Sequence, residues 1–154
     1  MYWREKFINL AWSDNLWDWN PLLDDKGELK RLIIPRPGKF DSKITECGQP
    51  ALITDKGIIL LYNGKNVLDE NATRDIPKVT YSVGEAVFDL NNPEKVLKRT
   101  GNYILKPTLP HEMSGRYTAG TPFRKVWSSS IKNGFYIAVL PIHLLDWLYL
   151  KIRG

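Results

Sequence analysis

The sequence predicts an all-β fold, and three observations carry that expectation. Short runs rich in β-branched and aromatic residues recur along the chain. Gly, Pro, Asn and Asp punctuate them, and amphipathic helical periodicity is hard to find before residue 130. A length of 154 residues suits one domain with a real core and is too short for two. With 43% hydrophobic and 25% charged residues, the chain is neither disordered nor fibrous.

The first expected strand is Lys6 to Ala11 (KFINLA). Ala51–Thr54 and Ile58–Tyr62 flank the turn Thr54-Asp55-Lys56-Gly57, a hairpin signal in which Gly57 is available for a positive φ. Tyr81–Phe88 and Val96–Arg99 are the remaining strands, and the segment around Asn91-Asn92-Pro93 reads as a loop between them. An internal echo links Leu10–Asp14 with Glu85–Asp89: each ends a strand with Ala, two further residues and Asp. Recurring strand sets of that kind are what propeller blades look like, and a β-sandwich accounts for the strands equally well.

Composition excludes several functions. Lys+Arg number 22 against 17 Asp+Glu, but the signs are interspersed and no basic block forms, which argues against nucleic acid. The single cysteine, Cys47, rules out an intrachain disulfide. Two histidines and one cysteine cannot furnish an ordinary zinc site without carboxylates, so neither metal nor cofactor is expected. Met1–Leu10 is charged at positions 4, 5 and 6 and does not read as a secretory signal. Gly134–Leu150 is apolar, yet it is shorter than the roughly 20 residues of a membrane span. It also contains Pro141, His143 and Asp146, so no membrane association is expected.

The string Glu46-Cys47-Gly48-Gln49-Pro50-Ala51, followed by Thr54-Asp55-Lys56-Gly57-Ile58 and Leu61-Tyr62-Asn63-Gly64-Lys65-Asn66, resembles the GPP-(x)-T-x-x-GW-L-x-x-YHG core of the family 130 glycoside hydrolases and phosphorylases. Ser13-Asp14 with Leu16 and Trp19, Phe40-Asp41-Ser42, Tyr81–Phe88 with Asp89, Pro93, Val96 and Arg99 follow in the family's order. His111-Glu112, Gly115, Tyr117 and Ala119-Gly120-Thr121 complete the series. The resemblance covers roughly residues 2 to 123. It implies a five-bladed β-propeller acting on β-mannosides, of which this chain would supply two to three blades. It also implies a fragment, because an E-D-P-R-like segment carrying the proton-donating Asp of the phosphorylases lies upstream of the matched region. The implied compartment of the intact parent is bacterial cytoplasm or periplasm.

After Thr121 the chain departs from the family's closing-blade pattern. Reading the third base of each codon with the first two of the next permits Glu-Gly-Leu-Val from Arg124 to Ser128 and Trp-Phe-Leu-Tyr from Asn133 to Ile137. The same shift permits Ala-Ala-Asp-Ser from Val139 to His143 and Val-Gly-Leu-Ala-Val from Leu144 to Tyr149. The expected organisation is therefore a partial propeller domain over residues 1–123 and an out-of-frame tail over 124–154. The alternative is that Ile137–Leu150 is a genuine apolar helix or strand pair.

Glycoside cleavage needs two carboxyl groups, one protonated to donate to the leaving oxygen and one ionised to activate water or attack. The resemblance places Glu46 and Glu112 at blade mouths, as the catalytic candidates; each could equally cap a turn or pair with a lysine. Asp41, Asn63, Lys65 and Tyr117 are the substrate-binding candidates. Asn63 stands where the phosphorylases carry a phosphate-holding His, so a neutral amide there favours water over phosphate. Arg36, Lys43 and Lys65 could still build an anion site. On their own, Asn63-Gly64 reads as a type I′ turn pair, and Asp14, Asp41 and Asp89 read as turn caps. Trp12, Trp17 and Trp19 offer faces for sugar rings or fill core between blades.

The expected function is thus inverting hydrolysis of β-mannosides, by a piece that is inactive as an isolated chain. A phosphorylase using inorganic phosphate and a stand-alone carbohydrate-binding β-module are the alternatives. An oligosaccharide is the expected partner.

Overall fold

The structure is a computed structural model that describes residues 1–108, 125–131 and 134–140, the last two stretches as backbone alone. Strands β1 (Tyr2–Trp3), β2 (Asn9–Trp12) and β3 (Asn20–Pro21) form a small antiparallel sheet. β4 (Ile44–Cys47), β5 (Leu52–Thr54), β6 (Gly57–Lys65), β7 (Tyr81–Phe88) and β8 (Val96–Arg99) form a larger one. β9 (Lys125–Ile131) and β10 (Gly134–Leu140) pair with each other as a separate two-stranded sheet. Among the described residues there is no helix.

The larger sheet is an antiparallel meander around β6. β4 pairs one end of β6, from Ile44↔Lys65 to Cys47↔Tyr62, and β5 pairs the other, from Leu52↔Ile59 to Thr54↔Gly57. Four residues separate Cys47 from Leu52 where only two separate Ile59 from Tyr62, so β4 and β5 are one strand interrupted at Gly48-Gln49-Pro50-Ala51. Proline donates no ladder hydrogen bond, and such an interruption accommodates it. The β5–β6 hairpin turns at Asp55-Lys56, and Gly57 has φ +132°; a Cβ there would lie 2.6 Å from the Phe88 carbonyl oxygen. β7 and β8 have the bounds their alternation predicts, and Asp89 caps the loop between them, accepting from Asn91 N at 2.8 Å.

The turn joining β1 and β2 covers the outer edge of β4. Arg4 O accepts from Cys47 N at 3.2 Å and Lys6 O from Thr45 N at 3.3 Å. Arg4 and Lys6 hold positive φ of 89° and 82°, backbone conformations that cost on the order of 1–3 kcal/mol each in a non-glycine residue. The Tyr2 ring lies 4.4 Å from that of Phe88, which closes the two sheets onto each other.

Alternation divides the larger sheet into two unlike faces. On β7, Ser82, Gly84, Ala86 and Phe88 are all buried on one face, while on the other Tyr81, Glu85 and Val87 are half-exposed around a buried Val83. The buried face packs with Ile58, Leu60 and Tyr62 of β6 and with Ile8, Ile33, Phe40 and Ile76 from other segments. Gly64 and Gly84 belong to it because a Cβ at either would lie 2.5–2.6 Å from Phe40 atoms. This corrects the reading of Asn63-Gly64 as a turn: both lie within β6, and Gly64 is required by the Phe40 ring.

Asp41 closes this core. Its carboxylate is wholly buried and accepts from Arg36 Nη2 at 2.8 Å, Arg99 Nη2 at 2.6 Å and Tyr62 Oη at 2.7 Å. Arg36 also donates to Thr100 O and Arg99 to Ile34 O, so the ion cluster ties the segment before β4 to β6 and to the end of β8. Removing the acid strands two half-enclosed guanidinium groups. Asp41→Ala is therefore expected to lower unfolding free energy by about 3–5 kcal/mol. Tyr62→Phe, which deletes one hydroxyl, should cost about 1–2 kcal/mol. Equilibrium urea unfolding checks both, and equal losses would contradict a carboxylate-centred cluster.

Candidate active site

The half-open face of the larger sheet gathers three of the residues singled out from sequence. Glu46 is directly opposite Asn63, so their side chains share a face, and Lys65 is two residues further along β6 on the same side. Cross-strand neighbours of this kind stand roughly 5 Å apart between Cβ atoms, and the diagonal from Glu46 to Lys65 is roughly 7–8 Å. Glu46 is half-buried, whereas Asn63 and Lys65 are 5% and 9% exposed. Lys65 Nζ lies 4.6 Å from the centroid of the Tyr81 ring on β7.

Two further residues join this face without having been singled out, and a third, Gln49, lies in the interruption beside it. Tyr81 pairs with Lys65 across β6 and β7, and Glu85 pairs with Leu61, both on the Asn63 side. The alternation of Tyr81-Ser82-Val83-Gly84-Glu85 carries that information once one face is known to be buried. Gln49 is buried, and its Oε1 has no hydrogen-bond partner among the described residues. The interruption between β4 and β5 brings the backbone beside it, Gly48, against the Asn63 side chain, where a Cβ would lie 3.4 Å from Nδ2.

Asp41 does not belong to this face. Expected as a turn cap or a sugar contact, it is buried on the opposite side of β6 with its oxygens taken by Arg36, Arg99 and Tyr62. Arg36 is drawn to that side as well, so the anticipated grouping of Arg36 with Lys43 and Lys65 does not form. Trp12, at the end of β2, and Trp17 and Trp19, in the loop before β3, are 46%, 87% and 38% exposed, so none of them fills core among the described residues. Glu112 and Tyr117 lie outside the described residues.

The comparisons decide the family. A family model of glycoside hydrolase family 130, described as beta-1,4-mannooligosaccharide phosphorylase, matches residues 1–119. The chain belongs to glycoside hydrolase family 130. A beta-1,2-mannobiose phosphorylase from Listeria innocua is 35% identical over 96 residues, covering 62% of this chain and 24% of the relative. A glycosyl hydrolase structure from Bacteroides ovatus is 39% identical with a TM-score of 0.79, covering 90% of this chain and 38% of that one. A further structure, described in work on family 130 hydrolases that target beta-1,2 mannosidic linkages in Candida mannan, is 38% identical with a TM-score of 0.80, covering 89% and 38%. The chain thus spans about a quarter of that curated relative and under two-fifths of these structures. Its all-β architecture is part of the family's five-bladed β-propeller.

Within this family 130 chain, Cys47 reports on the enclosure of β4. Burial, and secondarily the Glu46 charge, push its thiol up to about 12 from 9.0. Tyr62 is raised as well, by burial first and the Asp41 charge second, with Arg99 opposing. Among the described residues no group of His, Cys, Asp and Glu could hold a metal ion, and no helix is long and apolar enough to cross a membrane.

The unfolded chain releases the Cys47 proton first, so its contribution is present below pH about 9 and is lost as pH climbs towards 12. Cys47 should react with a thiol-specific disulfide reagent more slowly at pH 8 than after denaturation, because the raised pKa leaves less thiolate in the folded chain. The urea midpoint should also fall between pH 9 and 11. Fast labelling of the folded chain would contradict the enclosure.

Proposed function

We propose that this chain carries part of the substrate face of a β-mannoside-cleaving glycosidase, with Glu46, Asn63 and Lys65 contacting the sugar. The observation that carries the reading is that the pairing of β4 with β6 sets all three on one face of the larger sheet, opposite the Phe40 core, where Glu46 is half-exposed. Glu46 is the ionised carboxyl of an inverting pair and activates water, and Glu112 is its sequence-derived candidate partner. Such pairs stand roughly 6.5–9.5 Å apart so that water fits between them. Lys65 and Asn63 orient sugar hydroxyls, and Tyr117 is a further sequence-derived candidate for contacting the sugar.

Water rather than phosphate is the favoured nucleophile for two reasons. Asn63 brings no charge, and Arg36 is committed to Asp41, which leaves fewer cations to hold an oxyanion. Phosphorolysis is the second reading, favoured by the names of the relatives in Listeria and Thermoanaerobacter. The isolated chain is proposed to bind mannoside without turning it over. Calorimetric titration with β-1,2-mannobiose should give binding that Glu46→Gln weakens about 10-fold and that inorganic phosphate leaves unchanged. Binding indifferent to Glu46 would overturn the assignment, and binding that requires phosphate would favour the second reading.

Residues 124–154 are proposed to be out-of-frame translation. The family match ends at residue 119, a few positions before the shift, and β9–β10 pair only with each other among the described strands. Sequencing the locus should show that a one-base correction near codon 123 restores the closing-blade pattern. An uninterrupted reading frame without that restoration would contradict it.

A further inference from the structure

The pairing of β1 with β2 sets Trp3 directly opposite Asn9. Met1 N donates to Ala11 O at 2.6 Å and Ala11 N donates to Met1 O at 2.9 Å, so these two residues exchange both bonds of one rung of the ladder. Antiparallel rungs alternate, and Trp3 with Asn9, two residues further in, is the next pair of that kind, with Cα atoms roughly 5.5 Å apart. Their side chains leave the sheet on the same side. It is the side away from Tyr2, whose ring lies against Phe88 in the core.

Each of the two side chains carries a buried polar atom with no hydrogen-bond partner among the described residues: Trp3 Nε1 and Asn9 Oδ1. Asn9 is wholly buried, and the other end of its amide is committed, with Nδ2 donating to Lys30 O at 2.7 Å. That bond fixes which end of the amide is which, because a carbonyl oxygen cannot donate to a carbonyl oxygen. The pair therefore presents one group that only donates, the indole N–H, and one that only accepts, the amide oxygen. An anion suits the first and not the second, and a metal ion the reverse. What completes both is a group that accepts from the indole and donates to the amide, and water is the smallest such group. Two hydrogen bonds of roughly 2.9 Å about a tetrahedral oxygen span roughly 4.7 Å, a gap that cross-strand neighbours at this spacing can bracket.

We propose that Trp3 and Asn9 form the binding site of one internal water, which accepts from Trp3 Nε1 and donates to Asn9 Oδ1. Buried waters of this kind complete polar groups that the chain leaves unpaired, and they are costly to remove. Arg4 directly follows Trp3, and its carbonyl accepts the Cys47 N–H at the outer edge of β4. The water thus stands at the base of the turn that covers the strand carrying Glu46.

The test is water–protein cross-relaxation NMR on the full 154-residue chain, with its six tryptophans labelled with nitrogen-15. Trp3→Phe identifies the Trp3 indole by the resonance it removes. In the unaltered chain that indole proton should show a cross-peak to water of opposite sign in the laboratory and rotating frames, since a held water tumbles with the protein. Surface hydration and proton exchange give the same sign in both. A crystal structure of the same chain should place an oxygen within roughly 2.7–3.2 Å of both Trp3 Nε1 and Asn9 Oδ1. A Trp3 indole without the opposite-sign cross-peak, or a crystal structure in which Trp3 Nε1 bonds Asn9 Oδ1 directly, overturns the site.

Discussion

The buried carboxylate of Asp41 is the constraint on which the rest of the structure depends. One acid collects donors from residues five, twenty-one and fifty-eight positions away, in Arg36, Tyr62 and Arg99. Neither guanidinium could enter this part of the core alone, since an unpaired buried charge costs several kcal/mol. Pairing two arginines to one carboxylate leaves a net positive cluster. Tyr62 Oη relieves it by donating to Asp41 while accepting from Arg99 Nε at 3.0 Å, and backbone carbonyls take further donors. Two chain segments, the one before β4 and the end of β8, are thereby fixed relative to β6 before any hydrophobic contact is counted.

Everything on the other side of β6 follows from that commitment. With Tyr62 pointing to Asp41, strand alternation sends Asn63 and Lys65 the opposite way, and the register of β4 puts Glu46 beside them. A one-residue slip would exchange the two faces and bury Glu46 against Phe40. Gly64 and Gly84 guard against such a slip, because the Phe40 ring occupies the volume any side chain there would need. The same cluster reaches the loops: Arg36 holds Thr100, and Asn66, next in sequence to Lys65, ties down the β6–β7 loop through Thr73.

Much of this was legible in the sequence where local pattern decides structure. Tyr81–Phe88, Val96–Arg99 and the turn before Gly57 are strands and hairpin as their alternation and turn chemistry predict. Local pattern fails for β4, whose Ile44-Thr45-Glu46-Cys47 has polar residues at its centre and becomes a strand through pairing on both edges. Strands β1 and β3, of two residues each, carry no periodic signal. Asp41 looked like a turn residue because its partners are remote in sequence, and Asn63-Gly64 looked like a turn because the demand for glycine came from Phe40. Glu46 and Lys65 entered through family resemblance; Tyr81 and Glu85 needed only knowledge of which face is buried.

A crystal structure of this chain soaked with β-1,2-mannobiose is the most direct measurement of where the sugar goes. It should show the disaccharide on the half-open face, with hydroxyls within hydrogen-bond distance of Glu46, Asn63 and Lys65 and the Asp41 cluster undisturbed. A sugar seated instead on Trp12, Trp17 and Trp19, with the Glu46 face empty, would contradict the assignment and favour a carbohydrate-binding module.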